Sequence, residues 1–248
     1  MIRGAIFDLD GTLLDSMAVW ATLGERYLRS IGYEPRERLG ETFKTFSTEQ
    51  AARYYREHYS VPLSVPEIVA GVNAMIDRFY REEVRPKPGV ELFLRRLQSM
   101  GLRLCVATAN DGTLAREALE RCGMLDCFTA IFSCADLGLG GKGEPDIFRA
   151  ALAHLGTEKA ETAVFEDTLH AVRTAKADGF PVVAVYDPYE PEQEALRALA
   201  DYYLSATNTA RTFSPSQQTS ESQRQTGGTT LCRYRKVNAN SSKRSENR

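Results

Sequence analysis

The stretch IFDLDGTLLDS, residues 6–16, sets two aspartates one residue apart directly after an apolar run. Gly4, Ala5, Ile6 and Phe7 read as a buried strand, so Asp8 and Asp10 fall where that strand ends. Carboxylates held this close repel, and the pKa of one rises unless a cation or a division of roles relieves them. The pair is either a solvated turn, which Asp and Gly favour, or a site.

The pattern of the remaining residues decides between the two. Short apolar runs recur at 102–107, 130–132, 163–165 and 182–186, with a further one at 202–204. Helical patterns lie between them at about 90–100, 113–122, 145–155 and 168–178. Strands separated by helices of this length predict right-handed crossovers: an α/β chain with a Rossmann-like, doubly wound parallel sheet. In such sheets ligands bind outside the carboxyl ends of the strands.

One region breaks the alternation. Residues 15–85 show only helical pattern, with Ile68, Val69, Val72, Met75, Ile76, Phe79 and Tyr80 at helical spacing, Pro66 suited to a first turn, and Tyr54, Tyr55 and Tyr59 on another segment. The expected organisation is a core of residues 1–14 and 86–206 with a small α-helical cap domain, 15–85, inserted after the first strand's loop. Chain order puts that cap above the carboxyl edge of the sheet, and the prolines at 86 and 88 make a stiff return connector.

The composition is that of a soluble globular chain: 248 residues, 43% hydrophobic and 26% charged. No run approaches the roughly 18 apolar residues of a membrane span, and acids interrupt the N-terminal apolar stretch where a secretory signal needs none. Cys105, Cys122, Cys127, Cys134 and Cys232 are odd in number and form no CxxC pair, which suits thiols in a reducing compartment. The expected location is cytoplasmic, as a monomer, with no membrane and no nucleic-acid partner. The net charge of −2 hides an asymmetry: residues 211–248 carry eight Lys or Arg against two Glu, leaving 23 basic and 31 acidic residues in the remainder. The segment 207–248 is polar, basic and without period, so it is expected to be a disordered tail, and its abrupt start suggests an altered reading frame.

Residues just past each strand form a short list: Asp8 and Asp10 after the first, Thr108, Ala109 and Asn110 after the second, Lys142 beyond the third, Glu166 and Asp167 after the fourth. Carboxylates from separate segments converging with one lysine call for a divalent cation, and hard oxygen ligands with no His or Cys beside them point to Mg²⁺. GLGGKG, from Gly138, is not a phosphate loop, because Gly143 follows Lys142 where Ser or Thr is needed. His58, His154 and His170 show no ligand spacing. Glu166, Asp167 and Thr168 also suit a helix cap.

DLDGTLLDS from Asp8 to Ser16 resembles the first motif of the haloacid dehalogenase-like superfamily, D-x-D-G-T/S. VATAND with Thr108, GKGEPDIF with Lys142 and VFEDTLHAVRTAKADGF with Glu166 and Asp167 resemble its second, third and fourth motifs, in order. The resemblance spans about residues 1–205 and includes a helical insertion in the type-1 cap position, as in the phosphatase and beta-phosphoglucomutase-like subgroup. It implies that Asp8 is a nucleophile forming an aspartyl-phosphate and Asp10 the general acid and then base. It implies phosphate contacts from Thr108, Ala109, Asn110 and Lys142. Mg²⁺ would be held by Asp8, the Asp10 carbonyl and Asp167, with Glu166 behind it or direct. Asp10 favours phosphoryl transfer, since dehalogenases of the superfamily resemble D-x-Y-G-T. The third motif departs from K-P-x-P-D-x-F by lacking the first proline, yet keeps the lysine and the helix start. In the cap, Trp20 and Lys44 are weak nominees for substrate selection. The activity implied is a Mg²⁺-dependent phosphatase for a small phosphorylated metabolite such as a sugar phosphate. The alternatives are a phosphomutase using the same intermediate and a non-enzymatic phospho-acceptor regulator.

Overall fold

Ile6 and Phe7, neighbours on one strand, face opposite sides of a sheet, and both are buried. A strand covered on both faces must lie inside a layered structure, and the computed structural model, which describes residues 1–36, 39–43 and 46–204, shows the layers. Strand β1 (Gly4–Phe7) is followed by helices α1 (Met17–Ser30), α2 (Leu39–Phe43), α3 (Thr48–Tyr59) and α4 (Val65–Arg78). The chain continues through α5 (Val90–Ser99), β2 (Arg103–Thr108), α6 (Gly112–Arg121), β3 (Ile131–Ser133), α7 (Asp146–Leu155), β4 (Thr162–Glu166), α8 (Leu169–Ala177), β5 (Val182–Val185), α9 (Gln193–Leu199) and β6 (Tyr202–Leu204).

The sheet runs β3-β2-β1-β4-β5-β6, and every pair is parallel. Strand order reverses direction at β1, which sits between β2 and β4, so the loops after β1, β2 and β4 open at one edge. One face packs Ile6, Cys105, Val164 and Val182 against Phe148, Ala151, Val172 and Leu196. The other face is aromatic: Phe7 stacks on Phe165 at 4.3 Å, and both meet Phe93 of α5 edge-on. This is the doubly wound architecture that the alternation predicts. One element goes beyond that reading: the seven-residue α9, too short to show a period. The element boundaries fall within a residue or two of the patterns.

The chain divides into two compact units, Ser16–Val84 and the remainder. The inserted unit is helical and has its own core of Tyr27, Leu28, Ala52, Tyr55, Ile68 and Val72. Capping boxes start two of its helices, Ser47 with Gln50 on α3 and Ser64 with Glu67 on α4. It ends in a turn of π-helix at Phe79–Glu83. No helix among the described residues is long and apolar enough to cross a membrane. The tail expected at 207–248 lies outside the described residues.

Candidate active site

The loop leaving β1 turns on the Leu9 carbonyl, which accepts from the amides of both Leu13 and Leu14, and Gly11 supplies the φ of 83° that the turn requires. The turn keeps Asp8 and Asp10 at the carboxyl edge of the sheet. Asp8 is buried at the strand end, and its amide donates to the Phe165 carbonyl of β4. Asp10 stands further out, where Asn110 Nδ2 donates to its Oδ2 at 3.3 Å. Asn110 in turn donates its amide to Thr108 Oγ1 at 3.0 Å, so the end of β2 is tied to the β1 loop. Asp111 then caps α6, accepting from Thr113 and Leu114.

Lys142 arrives from the long β3–α7 connection, preceded by Gly141 at φ 133°, a conformation side chains resist. Its ammonium is buried and donates to Asp8 Oδ1 and, at 2.6 Å, to Glu166 Oε1. Glu166 is saturated: its Oε2 accepts from the Asp167 amide at 3.0 Å, the Thr168 amide at 3.1 Å and Thr168 Oγ1 at 3.0 Å. Thus Glu166, and not Asp167, satisfies the start of α8, helped by Glu190, whose carboxylate accepts the Leu169 amide. Asp167 has no part in that capping and accepts, among the described residues, a 3.4 Å bond from Thr12 Oγ1.

Carboxylate oxygens of Asp8, Glu166 and Asp167 lie within 4.8 Å of one another, all buried. Lys142 donates to two of these three acids, Asp8 and Glu166, and the acids respond differently. Burial works against the charge of Glu166, but Lys142 and the Thr168 hydrogen bonds outweigh it and hold the carboxyl below its usual range. For Asp8 burial dominates, reinforced by Glu166 and Asp10 against Lys142, and its pKa is pushed up to about 7. Asp167 is also raised well above the ordinary range, by burial first and then by Asp8 and Glu166. Burial opposes the charge of Lys142, yet the two acids it touches hold its pKa above normal. The three clustered acids therefore outnumber the one lysine that donates to them. A doubly charged hard cation fits that surplus and that donor set.

The structure brings Asp8, Asp10, Thr108, Asn110, Lys142, Glu166 and Asp167 to one sheet edge, with Ala109 exposed between Thr108 and Asn110. Trp20 belongs to the helical unit, where its Nε1 donates to the hydroxyl of Tyr80 at 2.8 Å. Lys44 lies outside the described residues. The sequence reading missed Lys87 and Asp187, a buried pair at 2.8 Å. Asp187 follows the apolar run of β5, so the strand-end rule that found Glu166 and Asp167 could have found it.

The class so defined is a doubly wound parallel α/β core with an acidic, lysine-bearing centre past β1 and β4 and a helical insertion. The chain belongs to the haloacid dehalogenase-like hydrolase family, whose model matches residues 5–185. It is 28% identical over 212 residues to a probable pseudouridine-5'-phosphatase of Drosophila melanogaster, covering 81% of this chain and 91% of that one. It is 27% identical over 180 residues to a phosphorylated carbohydrates phosphatase of Thermotoga maritima, covering 72% and 82%. A putative beta-phosphoglucomutase from Thermotoga maritima has the same fold, with a TM-score of 0.74 at 23% identity over 85% of this chain and 97% of that one.

Proposed function

We propose that this chain is a Mg²⁺-dependent phosphatase that hydrolyses a small phosphorylated metabolite, a sugar phosphate or similar monoester, through an aspartyl-phosphate on Asp8. The observation that carries the reading is the cluster of three buried acids, Asp8, Glu166 and Asp167, with Lys142 donating to two of them. Such a centre is costly unless a divalent cation and an anionic phosphoryl group meet there.

In this reading Lys142 holds Asp8 Oδ1, and the other carboxylate oxygen forms a bond to phosphorus as the ester oxygen leaves. Asp10 delivers the proton to that leaving oxygen, then accepts one from the water that attacks phosphorus and restores Asp8. Asn110, which donates to Asp10 Oδ2, keeps the acid aimed. Thr108, the Ala109 and Asn110 segment and Lys142 bind the phosphoryl oxygens. Asp8, Asp167 and the Asp10 carbonyl would hold Mg²⁺, and Glu166, whose oxygens are engaged, acts through Lys142 and the amide of Asp167. When bound, the ion supplies neutralisation of phosphoryl charge and alignment of the substrate. The names of the two phosphatase relatives support the reaction class and a phosphorylated metabolite as substrate. The helical unit is proposed to act as a cap that selects it.

The test is phosphate release from a panel of sugar and nucleoside monophosphates with MgCl₂ or EDTA, on the wild type and Asp8→Asn. Release that needs Mg²⁺ and disappears in the variant supports the proposal. Turnover unaffected by Asp8→Asn overturns it, and isomer formed without phosphate release assigns a mutase.

A further inference from the structure

Lys87 is a second buried ammonium at the same edge of the sheet. Its amide donates to the Leu13 carbonyl at 2.9 Å, on the return connector that also bridges Leu14 with Pro86. Leu13 is next to Thr12, and Thr12 is the residue whose hydroxyl reaches Asp167. The Lys87 backbone is thus joined to Asp167 through two adjacent residues, Leu13 and Thr12. Yet among the described residues Lys87 donates nothing to Asp167. Its Nζ is turned instead to Asp187 Oδ2 at 2.8 Å and the Tyr186 carbonyl at 3.0 Å. Asp187 is itself fixed, accepting the Tyr189 amide on Oδ1 at 2.9 Å.

A buried lysine beside an underpaired carboxylate competes with any cation for it, because one ammonium relieves the same charge that a metal would. We propose that Asp187 is the restraint that holds Lys87 off Asp167, and that this positioning pair keeps Asp167 open to a divalent cation. The inference rests on the metal-dependent reading above and adds two residues that do not touch the reacting groups. It explains why a lysine is tolerated there: the pair is neutral and pins the connector to the end of β5, while leaving the acidic surplus of the neighbouring centre intact.

The experiment is a double-mutant cycle on the full chain with Asp187→Asn, Lys87→Met and both together. Mg²⁺ affinity is measured by calorimetric titration with MgCl₂, and folding by thermal melts in EDTA. Asp187→Asn keeps the acceptor for Tyr189 but leaves Lys87 only the Tyr186 carbonyl, and Mg²⁺ affinity falls about tenfold or more, as for loss of an outer partner of a metal ligand. Lys87→Met binds Mg²⁺ at least as tightly as the wild type, although it melts earlier because Asp187 loses its partner. The double variant regains wild-type affinity within roughly the uncertainty of such cycles, a factor of about two to three. Wild-type affinity in Asp187→Asn, or a double variant as weak as that single one, overturns this inference alone. A wild-type chain that takes up no Mg²⁺ overturns the metal reading and this inference with it. Lys87→Met and the double variant keep the test decisive if Asp187→Asn fails to fold.

Discussion

Glu166 and Asp167 are adjacent acids of nearly equal burial, and the structure predicts opposite responses to neutralising them. Glu166→Gln is close to isosteric, but Gln has one acceptor where Glu166 uses two. With its oxygen toward the Asp167 and Thr168 amides, its NH₂ confronts the Lys142 ammonium. With the groups exchanged, three donors lose their acceptor. The cost is a charge-assisted hydrogen bond plus a buried donor without a partner, together about 3 kcal/mol. For a domain of this size that lowers Tm by roughly 6–12 °C. Asp167→Asn removes a charge that the site already disfavours. Its raised folded pKa means that stability is present below the ordinary value and lost as pH rises through the folded one. At pH 8 without divalent cations the Asn variant should therefore melt at or above the wild-type temperature, while its Mg²⁺-induced rise in Tm disappears. Calorimetry or fluorescence melts of the three proteins in EDTA and in MgCl₂ make the comparison. Equal destabilisation by both substitutions in EDTA would refute the assignment of Glu166 as the saturated acid and Asp167 as the unsatisfied one.

Other consequences are as direct. Adding MgCl₂ to the wild type should raise Tm, with about 1.4 kcal/mol of added stability for each tenfold of free ion beyond Kd, and EDTA should reverse it; a Tm indifferent to Mg²⁺ contradicts a metal at this centre. Asp178 accepts hydrogen bonds from Arg149 first and then Lys159, which hold its carboxyl below the ordinary range. Its contribution is present above about pH 4 and lost as pH falls below that, so Asp178→Asn should flatten the acid limb of a Tm–pH curve; an unchanged limb counts against it. Gly24 lies inside α1, where Ala ordinarily gains about 1 kcal/mol. A Cβ there would meet the Phe43 ring at 2.6 Å and the Tyr55 hydroxyl at 2.8 Å, so Gly24→Ala should lower Tm, and a rise would show that the packing of the helical unit gives way.

Much of this arrangement was legible because parallel sheets place chemistry at strand ends. An apolar run followed by Asp8, Thr108 or Glu166 is a local signal, and the sheet order brings those signals together. The period of 3.6 marked α4 and α5, whereas α9 is too short to carry one. The division of labour between Glu166 and Asp167 was not legible, since it depends on which way each carboxylate turns: one into the amides that open α8, the other toward Thr12. Nor was the Lys87–Asp187 pair, whose partners stand 100 residues apart and meet only because a connector is pinned to the β1 loop. A lysine between two prolines reads as a solvated linker until its partner is found.

The central claim is that Asp8 becomes phosphorylated during turnover. Incubating the protein with a turned-over phosphomonoester and MgCl₂, quenching in acid within the first turnovers and analysing the peptides by mass spectrometry tests it most directly. One phosphoryl group on Asp8, absent in Asp8→Asn, is the predicted result. Phosphate released at full rate with Asp8 unmodified at every time point would contradict it.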